Sequence, residues 1–291
     1  MSVQTPSAPG ATPFPGLAVR VAGIGLLGPG LPDWARGAAL LREPSAWTLA
    51  PTVVPPPARL PATERRRAGA VVKLALAVAD EALAAAGADP RALPTVFASS
   101  TGDPANCHAL CEALAQPQRL VSPTRFTNSV HNAPAGYWHI ATQSMQASTS
   151  LGAYDASVAA ALLEAAAQVV EHGRPVLMVA SDVPYPEPLH AKRPVLDSLG
   201  LALVLVPEAQ AGAGPRLRLR PAGARAPSPC AGAATGEGLD VLRTGIPAGR
   251  ALPLLQALAA LAGEAAAAGP VAETIVEGPP GAALSIAVDG P

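Results

Sequence analysis

The stretch that most constrains this chain runs from residue 148 to residue 173. Ser148-Thr149-Ser150-Leu151 is a short alternating run, and Gly152-Ala153-Tyr154-Asp155 is a tight segment behind it. Ala156 to Glu171 then read as an Ala/Leu/Val helix, apolar almost all round, which His172-Gly173-Arg174-Pro175 stops. Such a helix has to be buried between layers. Strand, sharp turn and buried helix is the arrangement that presents one side chain at an elbow, as nucleophile elbows do. Here the apex offers Gly152, Tyr154 or Asp155, and neither Cys nor a catalytic Ser. The geometry of an active site is expected without its reactive atom.

The remaining pattern alternates strands with helices. Leu17 to Ile24, Leu93 to Ser99, Pro175 to Ser181, Leu199 to Val206, Glu273 to Val276 and Ala282 to Val288 read as strands. Helices are expected over 63–86, 105–114 and 251–262, and a polar loop from 122 up to the elbow strand. The alternation Arg216-Leu-Arg-Leu-Arg220 suggests an edge strand. This order implies an α/β fold, a layered α-β-α sandwich with a mixed sheet. Residues 1–16 are too rich in Pro, Gly and small polar residues to bury anything and read as a disordered tail. The body is expected over 17–206, with 207–291 an extension packing on it.

Composition excludes several functions. With 49% apolar but only 3% aromatic residues, the core must be Ala, Leu and Val. A net charge of −1 gives no support to nucleic-acid binding. Helix 156–171 is too short to span a bilayer, and the opening residues lack the basic and apolar regions of a secretory signal, so no membrane is expected and the cytoplasm is the default. Cys107, Cys111 and Cys230 are too few and too irregular for a disulfide framework. Cys107-His108-x-x-Cys111 would need a second ligand pair to hold zinc, which Cys230 alone does not supply, so no metal and no cofactor are expected. The run Gly23-Ile-Gly-Leu-Leu-Gly28 matches G-x-G-x-x-G formally, but Pro29, Gly30 and Pro32 interrupt it where a phosphate-binding helix should begin. Arg65-Arg66-Arg67 could be an anion site; a solvated helical turn is the plainer reading.

Several phrases resemble a known family. VRVAGIGLLGPG, ERRRAGAVVKLALAVADEALAAAG, and NAPAGYWHIAT followed by ASTSL and GRPVLMVAS are similar to the N-terminal half of a β-ketoacyl synthase of the thiolase fold. FTNSVHNAPAGYWHIAT and STSLGAYDAS with AALLEAA more closely resemble the short ketosynthase-like proteins of aryl-polyene gene clusters, described as chain-length factors that pair with a catalytic ketosynthase. The resemblance covers roughly residues 17 to 206. It implies a nucleophilic Cys at the elbow, in a phrase such as T-A-C-S-S. Aligned without gaps, Asp155 stands in that place; a three-residue slip would put Gly152 there. Neither can carry an acyl group as a thioester. The family's two catalytic His and its Lys lie in a C-terminal half, whereas this chain has no His beyond residue 190.

The resemblance therefore implies a non-catalytic partner of a full-length β-ketoacyl-ACP synthase, meeting the acyl carrier protein through that complex. Its strand Ser148, Thr149, Ser150 and Leu151 would pair across the dimer axis. Asn128, His131, Asn132, Tyr137, Trp138, Met145 and Tyr154 are the candidates for an acyl-chain cavity or the interface. An active condensing enzyme or acyltransferase with another nucleophile, or a scaffold that kept the fold, are the alternatives. His131 with Asn128 and Asn132 could equally form a hydrogen-bonded loop against the elbow.

Overall fold

The structure is a computed structural model that describes residues 16–210, 212, 214–232, 234, 236–262 and 270–290. The expected N-terminal tail, apart from residue 16, lies outside the described residues. In chain order the elements are β1 (Leu17–Leu27), α1 (Trp34–Arg42), α2 (Ala62–Arg67), α3 (Ala70–Ala86), β2 (Thr95–Ala98), α4 (Pro104–Ala115), α5 (Pro123–Thr127), α6 (Ala133–Thr142) and β3 (Ser148–Leu151). They continue as α7 (Ser157–His172), β4 (Val176–Asp182), β5 (Leu199–Pro207), β6 (Arg216–Pro221), α8 (Asp240–Gly245), α9 (Leu252–Leu261), β7 (Pro270–Glu277) and β8 (Ala283–Asp289).

Among the described residues the strands form one 8-stranded sheet in the order β3-β2-β4-β5-β1-β6-β8-β7. β2 runs parallel to both β3 and β4, and the other pairings are antiparallel. The two faces are sorted by the period-two rule. On β4, Val176, Met178 and Ala180 join α7 and α9 in one core, while Leu177 and Val179 join α3 and Trp138 in the other. This is the expected α-β-α sandwich with a mixed sheet.

The glycines of the apparent dinucleotide motif have a packing role. β1 runs straight through Gly23 and Gly25, and a Cβ on either would come within 2.1 Å of the Ala82 carbonyl or 2.0 Å of the Val78 carbonyl on α3. They let helix and strand approach closely.

Four expectations need correction. The helix expected over 63–86 is broken at Ala68–Gly69. Asn128 Nδ2 bonds the Arg67 carbonyl at 3.0 Å and closes α2, while the Asp103 carboxylate occupies the space beside Gly69. The expected loop before the elbow contains α5 and α6, because Pro123 and Pro134 sit in their first turns and Ala135, Trp138 and Thr142 recur on one buried face. β6 is not an edge. β1 and β8 flank it, Leu217 and Leu219 point into the core, and Arg216 and Arg218 pair with Glu208 and Asp289. Finally, α7 is buried on its sheet side only. Leu163 and Val170 on its outer side are exposed, because the sheet is the layer that covers it.

Candidate functional site

The elbow stands at the C-terminal ends of the parallel strands β2, β3 and β4. β3 ends at Leu151, and Tyr154 adopts a left-handed backbone with φ 53°, uncommon for a residue with a Cβ. Ser157 fixes the turn: its hydroxyl donates to the Tyr154 carbonyl at 2.7 Å and accepts from the Ala153 amide at 3.0 Å. The sharp reversal read from the sequence is thus present, with Tyr154 in the strained position and its ring exposed.

Asp155 is held by arginines remote in sequence. Arg193 Nη2 donates to its Oδ1 at 2.8 Å, and Arg250 Nη2 lies 3.5 Å from its Oδ2. Arg250 also binds Glu277 Oε2 at 2.8 Å. The same Arg193 nitrogen donates to Ser100 Oγ at 2.7 Å, and its guanidinium stacks 3.6 Å above the Tyr154 ring and 5.8 Å from that of Tyr185. Behind them, buried Asp182 at the end of β4 organises the loop after β2. Its Oδ1 accepts from the Ser100 amide at 2.7 Å, the Thr101 amide at 2.9 Å and the Ser99 hydroxyl at 3.2 Å. Burial pushes the Asp182 carboxyl above its ordinary range against the pull of these bonds, and burial likewise raises Tyr185.

Asp155 is ion-paired and cannot form a thioester, and no cysteine is among the side chains that bond to it. Cys107 and Cys111 are exposed on α4, and Cys230 is buried beside Asp240, its thiol pushed up to about 12 chiefly by burial. Gly152, the alternative elbow position, faces His131: a Cβ there would lie 3.2 Å from the imidazole Nε2. That Nε2 is 3.1 Å from the Ser99 carbonyl, which can only accept, so the imidazole donates to the backbone. Among the described residues no cluster of three or more His, Cys, Asp or Glu side chains could hold a metal.

The other sequence candidates separate into two groups. Trp138 is fully buried with its ring centroid 6.4 Å from that of Phe97, and Tyr137 is buried with its hydroxyl donating to Asn128 Oδ1 at 3.2 Å. These are core positions. Asn132 instead lines a concavity of about 360 Å³ with Ala135, Gly136, His139, Ser148 and Ser150. It opens beside β3, which among the described residues has only β2 as a neighbour. Met145 is 95% exposed just before β3, and Ile140 and Phe126 are also exposed. Gln168 of α7 bonds Thr149 Oγ1 at 3.1 Å, joining the outer side of that helix to the same edge. A separate cavity of about 660 Å³ between α1, α9 and β7 shares no lining residue with the elbow.

Sequence reasoning missed Arg193, Arg250, Asp182, Ser100 and Tyr185. Only Asp182 carried a signal, as an acid ending an otherwise apolar strand; the arginines lie 38 and 95 residues from Asp155.

A one-sheet sandwich with a strand–elbow–helix at its edge defines a thiolase-like fold. The chain belongs to the family described as "Beta-ketoacyl synthase, N-terminal domain", whose model matches residues 39–246. No curated protein matches it. Among solved structures it is similar to a chain of the ketosynthase (ApeO) in complex with its chain length factor (ApeC) from Xenorhabdus doucetiae. That match has a TM-score of 0.68 at 21% identity and covers 93% of this chain and 99% of that one. The ishigamide ketosynthase/chain length factor gives 0.69 at 17% identity, covering 94% and 99%. A chain of AntDE:AntF, a type II PKS acyl-carrier protein in complex with its ketosynthase bound to the hexaketide, gives 0.71 at 13%, covering 94% and 100%. At these identities the likeness is one of fold. No helix among the described residues is long and apolar enough to cross a membrane.

Proposed function

We propose that this chain is a non-catalytic ketosynthase-like subunit, a chain-length factor. It pairs with an active, full-length β-ketoacyl-ACP synthase in a cytoplasmic complex and shapes the cavity for a growing acyl chain in aryl-polyene or polyketide-type biosynthesis. One observation carries the reading: an elbow that offers an ion-paired Asp155 and no thiol stands next to a strand, β3, whose outer edge no other strand covers among the described residues. An enzyme needs the thiol; a partner needs the edge. The family membership and the fold likeness to ketosynthase/chain length factor complexes support it.

In this reading β3 pairs with the equivalent strand of the ketosynthase. The Thr95 amide donates to the Ala147 carbonyl and the Ser99 amide to the Leu151 carbonyl. Backbone groups alternate sides along a strand, so those of Ser148 and Ser150 face the open edge. Asn132, Met145 and Tyr154 lie on the surface the partner would cover, and Asn128, Tyr137 and Trp138 hold it from behind. The acyl carrier protein is met through the complex, and the described strands beyond residue 207, β6, β8 and β7, continue the same sheet.

The test is to purify the chain alone and together with a ketosynthase and a carrier protein. A stable heterodimer, with condensation only when the ketosynthase is present, is expected. Condensation of malonyl and acyl groups by the isolated chain, or a homodimer indifferent to the ketosynthase, would overturn the reading.

A further inference from the structure

The cavity of about 660 Å³ between α1, α9 and β7 plays no part in the function proposed above. The sequence itself leaves the space open. α9 sends Leu254, Leu255 and Leu258 into the core but sets Ala257 and Ala260 against the cavity, where their short side chains leave room. Leu41, Pro44, Pro253 and Ala272 complete an aliphatic wall. That wall is held in place from behind. Gln256 Oε1 accepts from the Ala231 amide at 2.7 Å, and its Nε2 donates to the Leu41 and Ala231 carbonyls at 3.3 and 3.2 Å. Buried Asp240 fixes the same segment, its Oδ1 accepting from the Cys230 amide at 3.0 Å. Most polar side chains along the cavity are already engaged. Ser228 Oγ accepts from the Ile275 amide at 2.9 Å, Thr274 Oγ1 donates to the Ile286 carbonyl at 3.5 Å, and Glu273 pairs with Arg225 at 2.7 Å. Arg42 is different. It is exposed at the cavity and donates from Nη1 to the Ala259 carbonyl at 3.2 Å. Among the described residues its Nε and Nη2 have no partner, and no acidic side chain lies within salt-bridge distance.

We infer that this cavity binds a small amphipathic carboxylate, with its aliphatic body along the α9 wall and its head group on Arg42. The volume falls within the range of small-molecule sites, and the pattern of many apolar contacts with one orienting polar group is theirs as well. The free Nε–Nη2 side of a guanidinium presents two parallel donors, which match the two oxygens of a carboxylate. A cation has no such partner here. The one carboxylate on the wall, Glu273, is neutralised by both terminal nitrogens of Arg225, at 2.7 and 3.1 Å. Because Gln256 and Asp240 already fix the wall, little ordering opposes binding. The inference does not rest on the chain-length-factor reading, since the cavity shares no lining residue with the elbow or with the concavity beside β3.

The experiment is titration calorimetry of the full chain at low ionic strength, where an exposed charge is least screened. The probes are hexanoate, octanoate and octan-1-ol. Octanoate is expected to saturate a single site, and hexanoate to bind more weakly by about fourfold for each methylene it lacks. Octan-1-ol, which has the chain without the charge, should bind about tenfold more weakly than octanoate. Arg42→Ala should weaken octanoate about tenfold and leave octan-1-ol unchanged, a difference that a merely structural Arg42 would not produce. Ala260→Leu, which fills the space, should weaken both at least about tenfold. Neither substitution should lower the melting temperature by more than about 2 °C, since both positions are exposed. Octan-1-ol binding as tightly as octanoate, affinity that ignores chain length, octanoate binding unchanged by Ala260→Leu, or no saturation by on the order of 10 mM would each overturn the inference.

Discussion

Asp155→Ala separates a wall from a catalyst. The side chain accepts from Arg193 at 2.8 Å and approaches Arg250 at 3.5 Å, and those arginine side chains are 23% and 11% exposed. With charge centres about 4 Å apart near a protein surface, one pair is worth about 4 kcal/mol gross. Desolvating and ordering the groups consumes about half of that. Removing the carboxylate leaves both arginines facing each other, although Glu277 still neutralises Arg250 and Ser100 still accepts from Arg193. A net loss of about 2 kcal/mol follows, read as a lower urea midpoint at constant slope. The double variant Asp155→Ala/Arg193→Ala should recover about half of it, because no stranded cation remains. Turnover of the reconstituted complex, measured per mole of assembled heterodimer, should stay within about twofold of wild type. A stability change below about 0.5 kcal/mol would refute the energetic reasoning. A hundredfold loss of turnover with the complex intact would refute the functional reasoning and restore Asp155 to the chemistry.

Other consequences can be checked alongside. Ser150→Pro removes an outward N–H without breaking the bonds of β3 to β2, so it should lower ketosynthase affinity at least about tenfold while the chain stays folded; pull-down and circular dichroism read the two effects. Trp138→Ala empties a fully buried site and should cost about 3–5 kcal/mol in chemical denaturation, whereas a cavity-lining Trp would cost far less. Tyr154→Gly relieves a left-handed backbone worth about 1 kcal/mol but loses a cation–π contact of similar size, so its stability should stay within about 0.5 kcal/mol of wild type, while Tyr154→Ala should lose about 1 kcal/mol. Buried Asp240 is held down from 3.8 to about 2, first by its hydrogen bonds from Arg243. Its folded value is depressed, so its stabilisation of about 2 kcal/mol is fully present above pH 3.8 and disappears as pH falls toward 2. Asp240→Asn should therefore be less stable at pH 7, and the gap to wild type should narrow over that acid window.

What was legible in the sequence was local. The period of two in Ser148–Leu151 and the helical run that follows place strand, turn and helix because both signals need only neighbouring residues. The same pattern placed β4 and β5, whose continuous apolar runs match burial on both faces. The failures are those in which a distant partner decides. Arg216–Arg220 alternates like an edge strand, and nothing within it announces that β8 will pair along its far side. α7 looked apolar all round because Ala fits either environment; the exposure of Leu163 and Val170 depends on whether another layer arrives. Bulk alone does not tell a cavity wall from a core position, and in a chain with nine aromatics both Tyr137 and Trp138 are buried. The site shows the same division most sharply. Sequence located the elbow, but the groups that fill the space around it come from the ends of β2 and β4 and from two segments further along the chain. An elbow carboxylate without partners would be left half buried to find its own water. Instead two arginines converge on it, a tyrosine ring and a serine hold one of them, and a network of that kind fixes the turn, and with it the adjoining β3, in one conformation.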